Sequence, residues 1–467
     1  MELSKQRLDD DGRPRRTGTL WTASAHIITS VVGSGVLSLA WGVAQLGWVA
    51  GPAVMALFAA VTYYTSALLA DCYRSGDPVS GPRNRTYMAA VRATLGGSKV
   101  KLCGAMQFAN IFGIGIGITI AASASMLAIK RSDCFHKEGH GSECHGSIRP
   151  YIAIYGLMEL AFSQIPGMDS VWWLSTFAAV MSFAYSTIAI SLGIAQIIAK
   201  GGIQGGLTGV AVSISAAGTS VSAMQKLWQS LQAFGNMAFS YGFSIILLEI
   251  QDTLKAAASS EAKVMKKAAA VSVSATTVIY LLCGCVGYAA LGDGAPDNLL
   301  TGFAFYEPFW LLDLANAAVA LHLIGTYQVL SQPVFAYVEL RAAAAWPDSA
   351  FVATRKVRLW PTQLRVSVCP LKLTWRTAYV CVTTVVSMLM PFFGSVVGLI
   401  GAISFWPLTV YFPVEMYMAQ YQVPPGSTRW LFLRALSVVC LLVSVAATAG
   451  SLADVFAEFQ KQSPFRW

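Results

Sequence analysis

Two clusters of small residues stand where they could do chemistry. They are Ser30-Val31-Val32-Gly33-Ser34-Gly35-Val36 and Gly235-Asn236-Met237-Ala238-Phe239-Ser240-Tyr241-Gly242, each inside an uncharged apolar run. Glycines beside small polar residues weaken a helix, and an opened helix presents amide N–H groups at one half's positive end and carbonyls at the other half's negative end. The amides suit a carboxylate and the carbonyls suit an ammonium group or another cation. An α-amino acid carries both. Val32, Gly33, Ser34 and Gly35, with Phe239, Ser240, Tyr241 and Gly242, are therefore the candidate substrate contacts, Phe239 and Tyr241 forming an aromatic wall. The same glycines also fit close helix packing of the GxxxG kind, and the two aromatics fit ordinary packing. Matching breaks in two halves of a chain favour the binding site.

Ionisable groups inside apolar runs are expensive in a bilayer and are candidates in turn. His26 lies seven residues before Gly33 and makes with Ser30 and Gly33 an i, i+4, i+7 stripe, about 10 Å along a helix from the break. His322 stands in mid-run, one turn before Thr326. Imidazole titrates near neutral pH, so both are candidates for proton coupling, His26 the stronger; a neutral histidine bonded between helices is the alternative. Glu249, Asp252 and Glu415 are expected near helix ends in pairing or gating, whereas Glu159 and Asp313 lie deeper. Asp313 is nine residues from His322 and does not share its face. Asn110 with Gly113, Gly115 and Gly117 either borders a cavity or packs closely.

The elements that must hold these groups follow from composition. Of 467 residues 55% are hydrophobic and 12% charged, with mean hydropathy +0.57, against about 25% charged in soluble domains. Residues 17–70, 102–129, 170–199, 227–248, 268–292, 314–338, 377–414 and 435–453 carry no Asp, Glu, Lys or Arg. A hydrocarbon core about 30 Å thick needs about 20 helical residues. The pattern predicts an all-α integral membrane protein of eleven transmembrane helices, at about 17–45, 48–71, 102–129, 150–168, 172–199, 224–250, 266–292, 308–340, 376–391, 395–419 and 430–454. A turn is expected near Gln45-Leu46-Gly47, and the uncharged but Gly-, Ser- and Thr-rich stretch 201–225 is expected as a loop. Residues 1–16 and 457–467 flank a transporter domain at 17–456 as tails.

With the N-terminus cytosolic, 24 of the 32 Lys and Arg fall inside, and an odd number of crossings places the C-terminus outside. The net charge of +9 is then a matter of orientation and calls for no nucleic acid. No cleavable signal is expected, the first helix inserting the chain. Cys134 and Cys144 in the outside loop 130–149 are expected to form a disulfide; zinc held with His136, His140 and His145 is the weaker alternative. The sequon Asn84-Arg85-Thr86 falls on the cytosolic side and should stay unmodified. There is no nucleophile–base pair, P-loop or metal-ligand spacing, so neither an enzyme nor a cofactor or metal is expected.

Gly18-Thr19-Leu20-Trp21-Thr22-Ala23-Ser24-Ala25-His26, Gly33-Ser34-Gly35-Val36-Leu37-Ser38, Gly76-Asp77-Pro78-Val79-Ser80-Gly81-Pro82-Arg83-Asn84-Arg85-Thr86 and Glu249-Ile250-Gln251-Asp252-Thr253-Leu254 together resemble the plant amino acid permeases of the amino acid/auxin permease family, over essentially the whole chain. Pro82, where many members carry Lys, and a short N-terminal tail depart from that pattern without touching the site. The resemblance implies a proton-coupled amino acid symporter of the plasma membrane with a leucine-transporter-like fold, five plus five helices in inverted repeats and one extra. It implies Gly33, Ser34, Gly35 and Phe239 to Gly242 as substrate contacts and His26 as the proton-linked histidine. Amino acid, protons and lipid are the expected partners of a chain acting as a monomer. Sodium coupling, and an amino acid sensor that does not turn over, are the competing readings.

Overall fold

The structure, a computed structural model, describes the chain except residues 1–8, 10–15, 140–143, 145, 166–171, 213–220, 256–259, 304–307, 360–363 and 462–467. Helix α1 (Leu20–Val31) is opened by Thr19 and Thr22, whose hydroxyls each accept the other's backbone N–H. The helix stops at Val32-Gly33, resumes as a 3-10 turn over Ser34–Ser38 and continues as α2 (Leu39–Asp71). Inside α2, Gly47 takes φ 81°, a left-handed conformation that glycine adopts without penalty, and turns the chain where the sequence places a turn. The second interruption divides α7 (Ala223–Ser240) from α8 (Ser244–Gln251) at Tyr241-Gly242-Phe243.

The remaining helices are α3 (Tyr87–Leu95), α4 (Gly97–Glu138), α5 (Arg149–Phe162), α6 (Trp172–Lys200), α9 (Glu261–Leu291), α10 (Phe309–Ala345), α11 (Pro370–Leu389), α12 (Phe393–Ser404), α13 (Phe412–Gln420) and α14 (Thr428–Lys461). A π-helical stretch, Phe405–Tyr411, joins α12 to α13. Eight helical stretches among the described residues are long and apolar enough to cross a membrane: Ser34–Asp71, Gly97–Glu138, Thr176–Lys200, Ala223–Gln251, Glu261–Gly294, Phe309–Ala345, Phe393–Gln420 and Thr428–Gln460. The first contains the Gly47 turn and so parts of two expected helices. Among the described residues α5, with 14 residues, is short, and α11 begins with Lys372, Trp375 and Arg376.

Three features differ from expectation. Beside the helices that make up the fold, Arg355–Leu359 and Leu364–Val368 pair as a short antiparallel hairpin between two expected helices, with Val357 opposite Val366, which the sequence reading did not anticipate. Helix α4 continues to Glu138, so Cys134 and His136 lie on a helix and not in a loop. Asp313 is the fifth residue of α10, near its N-terminus and not at mid-helix.

The chain divides into two compact units. In the first (1–110, 186–303 and 394–467), helix ends gather in two groups. In one group the Gly47 turn receives the polar stretch after α6: Val210 N–H donates to Ala44 O at 2.9 Å, Trp48 N–H to Gly206 O at 3.3 Å and Gln204 N–H to Ala289 O at 2.9 Å. Residues 201–212 are turns and coil, as expected; 213–220 lie outside the described residues. In the other group Gly18 pairs with Thr253 and Lys255, Arg16 meets Asp252 at 2.8 Å, and Lys266 meets Asp71 at 2.6 Å. Asn84 belongs there too, buried, its amide donating to Cys72 O and Ser75 Oγ.

In the second unit (111–185 and 304–393), His136 stacks on Phe309 with ring centroids 4.0 Å apart. At the far end of α5, Arg376 caps the carbonyls of Ser163 and Ile165, both at 2.9 Å, and pairs with Glu339 at 2.8 Å. Gly115 packs closely: a Cβ there would stand 3.3 Å from the Tyr327 ring and 3.6 Å from Thr383 and Tyr379, which favours the packing reading for that glycine.

Candidate functional site

The site is built from the two interruptions, both in the first unit. At the first, Val32 N–H donates to Ile28 O and Gly33 N–H to Val31 O, each at 2.8 Å, and the helix then restarts at Ser34. The first N–H groups of a helical turn have no partner within it, so the amides at Ser34, Gly35 and Val36 open a positive half-helix end. Val32, Gly33, Ser34 and Gly35 are all buried, and the Ser34 hydroxyl has no hydrogen bond among the described residues.

At the second interruption Ser240 closes α7 and Ser244 opens α8. Ser240 and Tyr241 are buried, Phe239 is half-buried and Gly242 is exposed. The two interruptions touch: a Cβ on Gly35 would stand 2.7 Å from Ser240 Oγ, 3.0 Å from Ser240 Cα and 3.2 Å from Phe239 Cδ1. Gly242 is not required in the same way, since its nearest neighbour to a Cβ is Phe239 O at 3.3 Å and its φ is not positive.

A residue that the sequence reading missed ties the interruptions together. Tyr280 of α9 is buried, and its hydroxyl lies 2.5 Å from Val31 O, at the end of α1, and 2.9 Å from Ser240 O, at the end of α7. The one hydroxyl proton is shared between two carbonyls, of which Val31 O also accepts from Gly33 N–H, and each carbonyl closes a helix at its negative end. Negative potential therefore concentrates there, opposite in sign to the Ser34–Val36 amides. The Tyr241 ring packs edge-on against Tyr280, centroids 5.2 Å apart. Nothing in the sequence marks Tyr280, which stands in an apolar run.

The two histidines lie in different settings. His26 is exposed, opposite the face of α1 that buries Ala23, Ser24, Ile27 and Val31. Its expected alignment with Gly33 does not carry over, because the helix ends at Val31 and the helical phase with it. His322, in the second unit, is fully buried, with Nδ1 2.7 Å from Ala178 O and Nε2 3.1 Å from the Thr326 hydroxyl. A carbonyl only accepts, so Nδ1 carries a proton. The Tyr185 ring stands edge-on at 5.7 Å.

Cys134 and Cys144 form the expected disulfide. Glu138 lies close to both sulfurs, but a disulfide supplies no thiolate to a metal; His140 and His145 lie outside the described residues. Of the acids expected at helix ends, Asp252 is met by Arg16 and the Tyr73 hydroxyl, and Glu415 by Arg434. In the loop before α3, the backbone N–H groups of Ser80 and Val79 hold the Asp77 carboxyl below its usual range.

Comparison with known proteins adds the following. Residues 16–457 match the family described as "Transmembrane amino acid transporter protein". The chain is 58% identical over 464 residues to "Amino acid permease 3" of Arabidopsis thaliana, covering 98% of this chain and 95% of that one. It is 55% identical over 459 residues to "Amino acid permease 2" of the same plant, covering 98% and 92%. Among solved structures it shares its fold with MhsT, crystallised in complex with L-phenylalanine, at TM-score 0.55 and 12% identity, over 94% of this chain and all of that one.

Proposed function

Since the chain belongs to the transmembrane amino acid transporter family, as a multi-pass membrane transporter and not an enzyme, we propose that it imports amino acids together with protons across the plasma membrane by alternating access. The observation that carries this reading is the meeting of the two interrupted helices, with Gly35 against Ser240 and the Val31 and Ser240 carbonyls converging on Tyr280. The Ser34–Val36 amides take the substrate carboxylate and the carbonyl ends take its ammonium group. Val32, Gly33, Ser34, Gly35, Phe239, Ser240, Tyr241 and Gly242 surround it, Gly242 on the exposed side. That MhsT binds L-phenylalanine on the same fold supports the placement.

Eleven crossings, five and five in inverted repeats plus α14, with the N-terminus cytosolic and the C-terminus outside, complete the architecture, and a monomer suffices for it. The grouping of helix ends in the first unit supports this order of crossings. His26, whose side chain is exposed on α1, carries the coupling proton; His322, bonded on both nitrogens, is the lesser candidate.

The test is uptake in transport-deficient cells with all twenty amino acids in competition, under an imposed pH gradient or a sodium gradient at constant pH. Accumulation is expected to follow the pH gradient and to ignore sodium; accumulation itself excludes a sensor that does not turn over. His26→Gln keeps a hydrogen-bonding side chain without the titratable charge. That variant, at normal surface level, is expected to lose pH-driven accumulation. An unchanged proton-to-substrate ratio in it would remove His26 from the mechanism.

A further inference from the structure

We propose that Glu159 is a second proton-binding group of the transport cycle, held between α5 and α10 apart from the interrupted helices; this rests on the reading that protons drive transport. Among the described residues two acids are buried outright, Glu159 at 1% exposure and Glu261 at 3%. Glu261 is met as a buried carboxylate needs to be, by the guanidinium groups of Arg74 at 2.6 Å and Arg83 at 3.1 Å. Among the described residues Glu159 meets no cation. Its Oε2 accepts from the Gln328 side-chain amide at 2.5 Å, the same amide lies 3.3 Å from the Glu159 carbonyl, and Oε1 has no hydrogen bond of good geometry.

The ionisable groups on the packed elements leave that account unchanged. On α5, Tyr155 stands one turn before Glu159, its buried hydroxyl interacting with the Glu159 carboxyl but making no hydrogen bond of good geometry. On α10, the Tyr327 hydroxyl is taken by Thr383 at 2.8 Å, and His322 by Ala178 and Thr326. On α11, Arg376 is engaged by Glu339 and by the carbonyls of Ser163 and Ile165, and the Tyr379 hydroxyl reaches Ile111 O at 3.5 Å. An anion at this place would be desolvated and faced only by neutral groups, the Tyr155 hydroxyl and the Gln328 amide, a costly state. A proton on Oε1 removes the charge and makes the carboxyl a donor as well as an acceptor beside the Tyr155 hydroxyl. The carboxyl thus holds its proton in this arrangement. It can release the proton only when its surroundings change, which is the property a coupling group needs.

A permanently neutral, merely structural acid would show the same geometry, and Glu159→Gln separates the two. Glutamine keeps the shape, the neutrality and the hydrogen bonding but cannot give up a proton. One coupled proton and an imposed gradient of one pH unit support about tenfold accumulation. The Gln variant is expected to lose that accumulation while keeping counterflow of labelled against unlabelled substrate near the wild-type rate. Full pH-driven accumulation in the Gln variant would overturn the proposal, and so would loss of counterflow together with accumulation at normal surface level. If the Gln variant does not reach the surface, Glu159→Asp decides: the shorter acid should move the pH midpoint of uptake, and an unmoved midpoint overturns the proposal. A wild type driven by sodium and not by protons would refute the proton reading itself, and is measured before any variant.

Discussion

At the scale of single residues, the interruptions separate glycines that must be glycine from those that need not be. A methyl group on Gly35 meets Ser240 Oγ, which can turn away, but also Ser240 Cα at 3.0 Å, which is backbone and cannot. Overpacking of this kind costs about 1–3 kcal/mol, and a cost of that size falling on the binding-competent arrangement corresponds to about a 5- to 150-fold loss. Gly35→Ala is therefore expected to depress uptake within that range at normal surface level, and Gly242→Ala, with only Phe239 O at 3.3 Å, to depress it less. Kinetics of labelled uptake for the two variants check this, and equal kinetics would separate the meeting of the helices from transport. Both clusters were legible as sequence because glycine and serine are out of place in an apolar run. Tyr280 and the Gln328 partner of Glu159 were not. Their roles depend on chain segments far apart in sequence, on α1, α7 and α9 for the tyrosine and on α5 and α10 for the acid, and no local pattern reports such a meeting.

At the scale of elements, hydropathy located the helices but not their ends. Helix α4 runs on through Lys130, Arg131, Lys137 and Glu138, because charge ends a membrane crossing without ending a helix, and Lys, Arg and Glu are good helix formers. The Lys137–Asp133 pair at 2.7 Å, four residues apart, supports that last turn. The hairpin at Arg355–Leu359 escaped notice because its alternation is short and basic. The disulfide joins the last turn of α4 to the chain leading into α5 and closes a loop of sequence separation 10. A loop of that length is worth about 2–3 kcal/mol in the chain-entropy account. Cys134→Ser with Cys144→Ser should therefore lower the thermal unfolding midpoint while leaving substrate selectivity alone, and an impermeant thiol reagent on intact cells should label the parent only after reduction. An unaltered midpoint, or labelling of both sulfurs without reductant, would contradict this.

At the scale of the whole molecule, packing and charge divide the work of fixing topology. Within the first unit, contacts sort helix ends into a group holding Gly18, Arg74, Thr253 and Glu261 and a group holding Gly47, Gly206, Ala289 and Asp297, but packing alone does not say which group faces the cytosol. The proposed orientation puts the first group in the cytosol because Arg16, Arg74, Arg83, Lys255 and Lys266 all lie with it, and cytosolic segments are enriched in Lys and Arg. The stretch after α6 is the decisive segment. A twelfth crossing there would reverse every later segment and cancel the asymmetry. Its described part, 201–212, is instead coil bonded to the Gly47 turn and to Ala289, and backbone of that kind does not span lipid. The proposed odd number of crossings, with the termini on opposite sides, rests on that coil. On intact cells, an epitope at the N-terminus should be unreachable by antibody until permeabilisation, while one at the C-terminus and one inserted in the segment between α4 and α5 should be reached at once. If both terminal epitopes needed permeabilisation, the chain would cross the membrane an even number of times, and the assignment of 201–225 to a loop would fall with the orientation built on it.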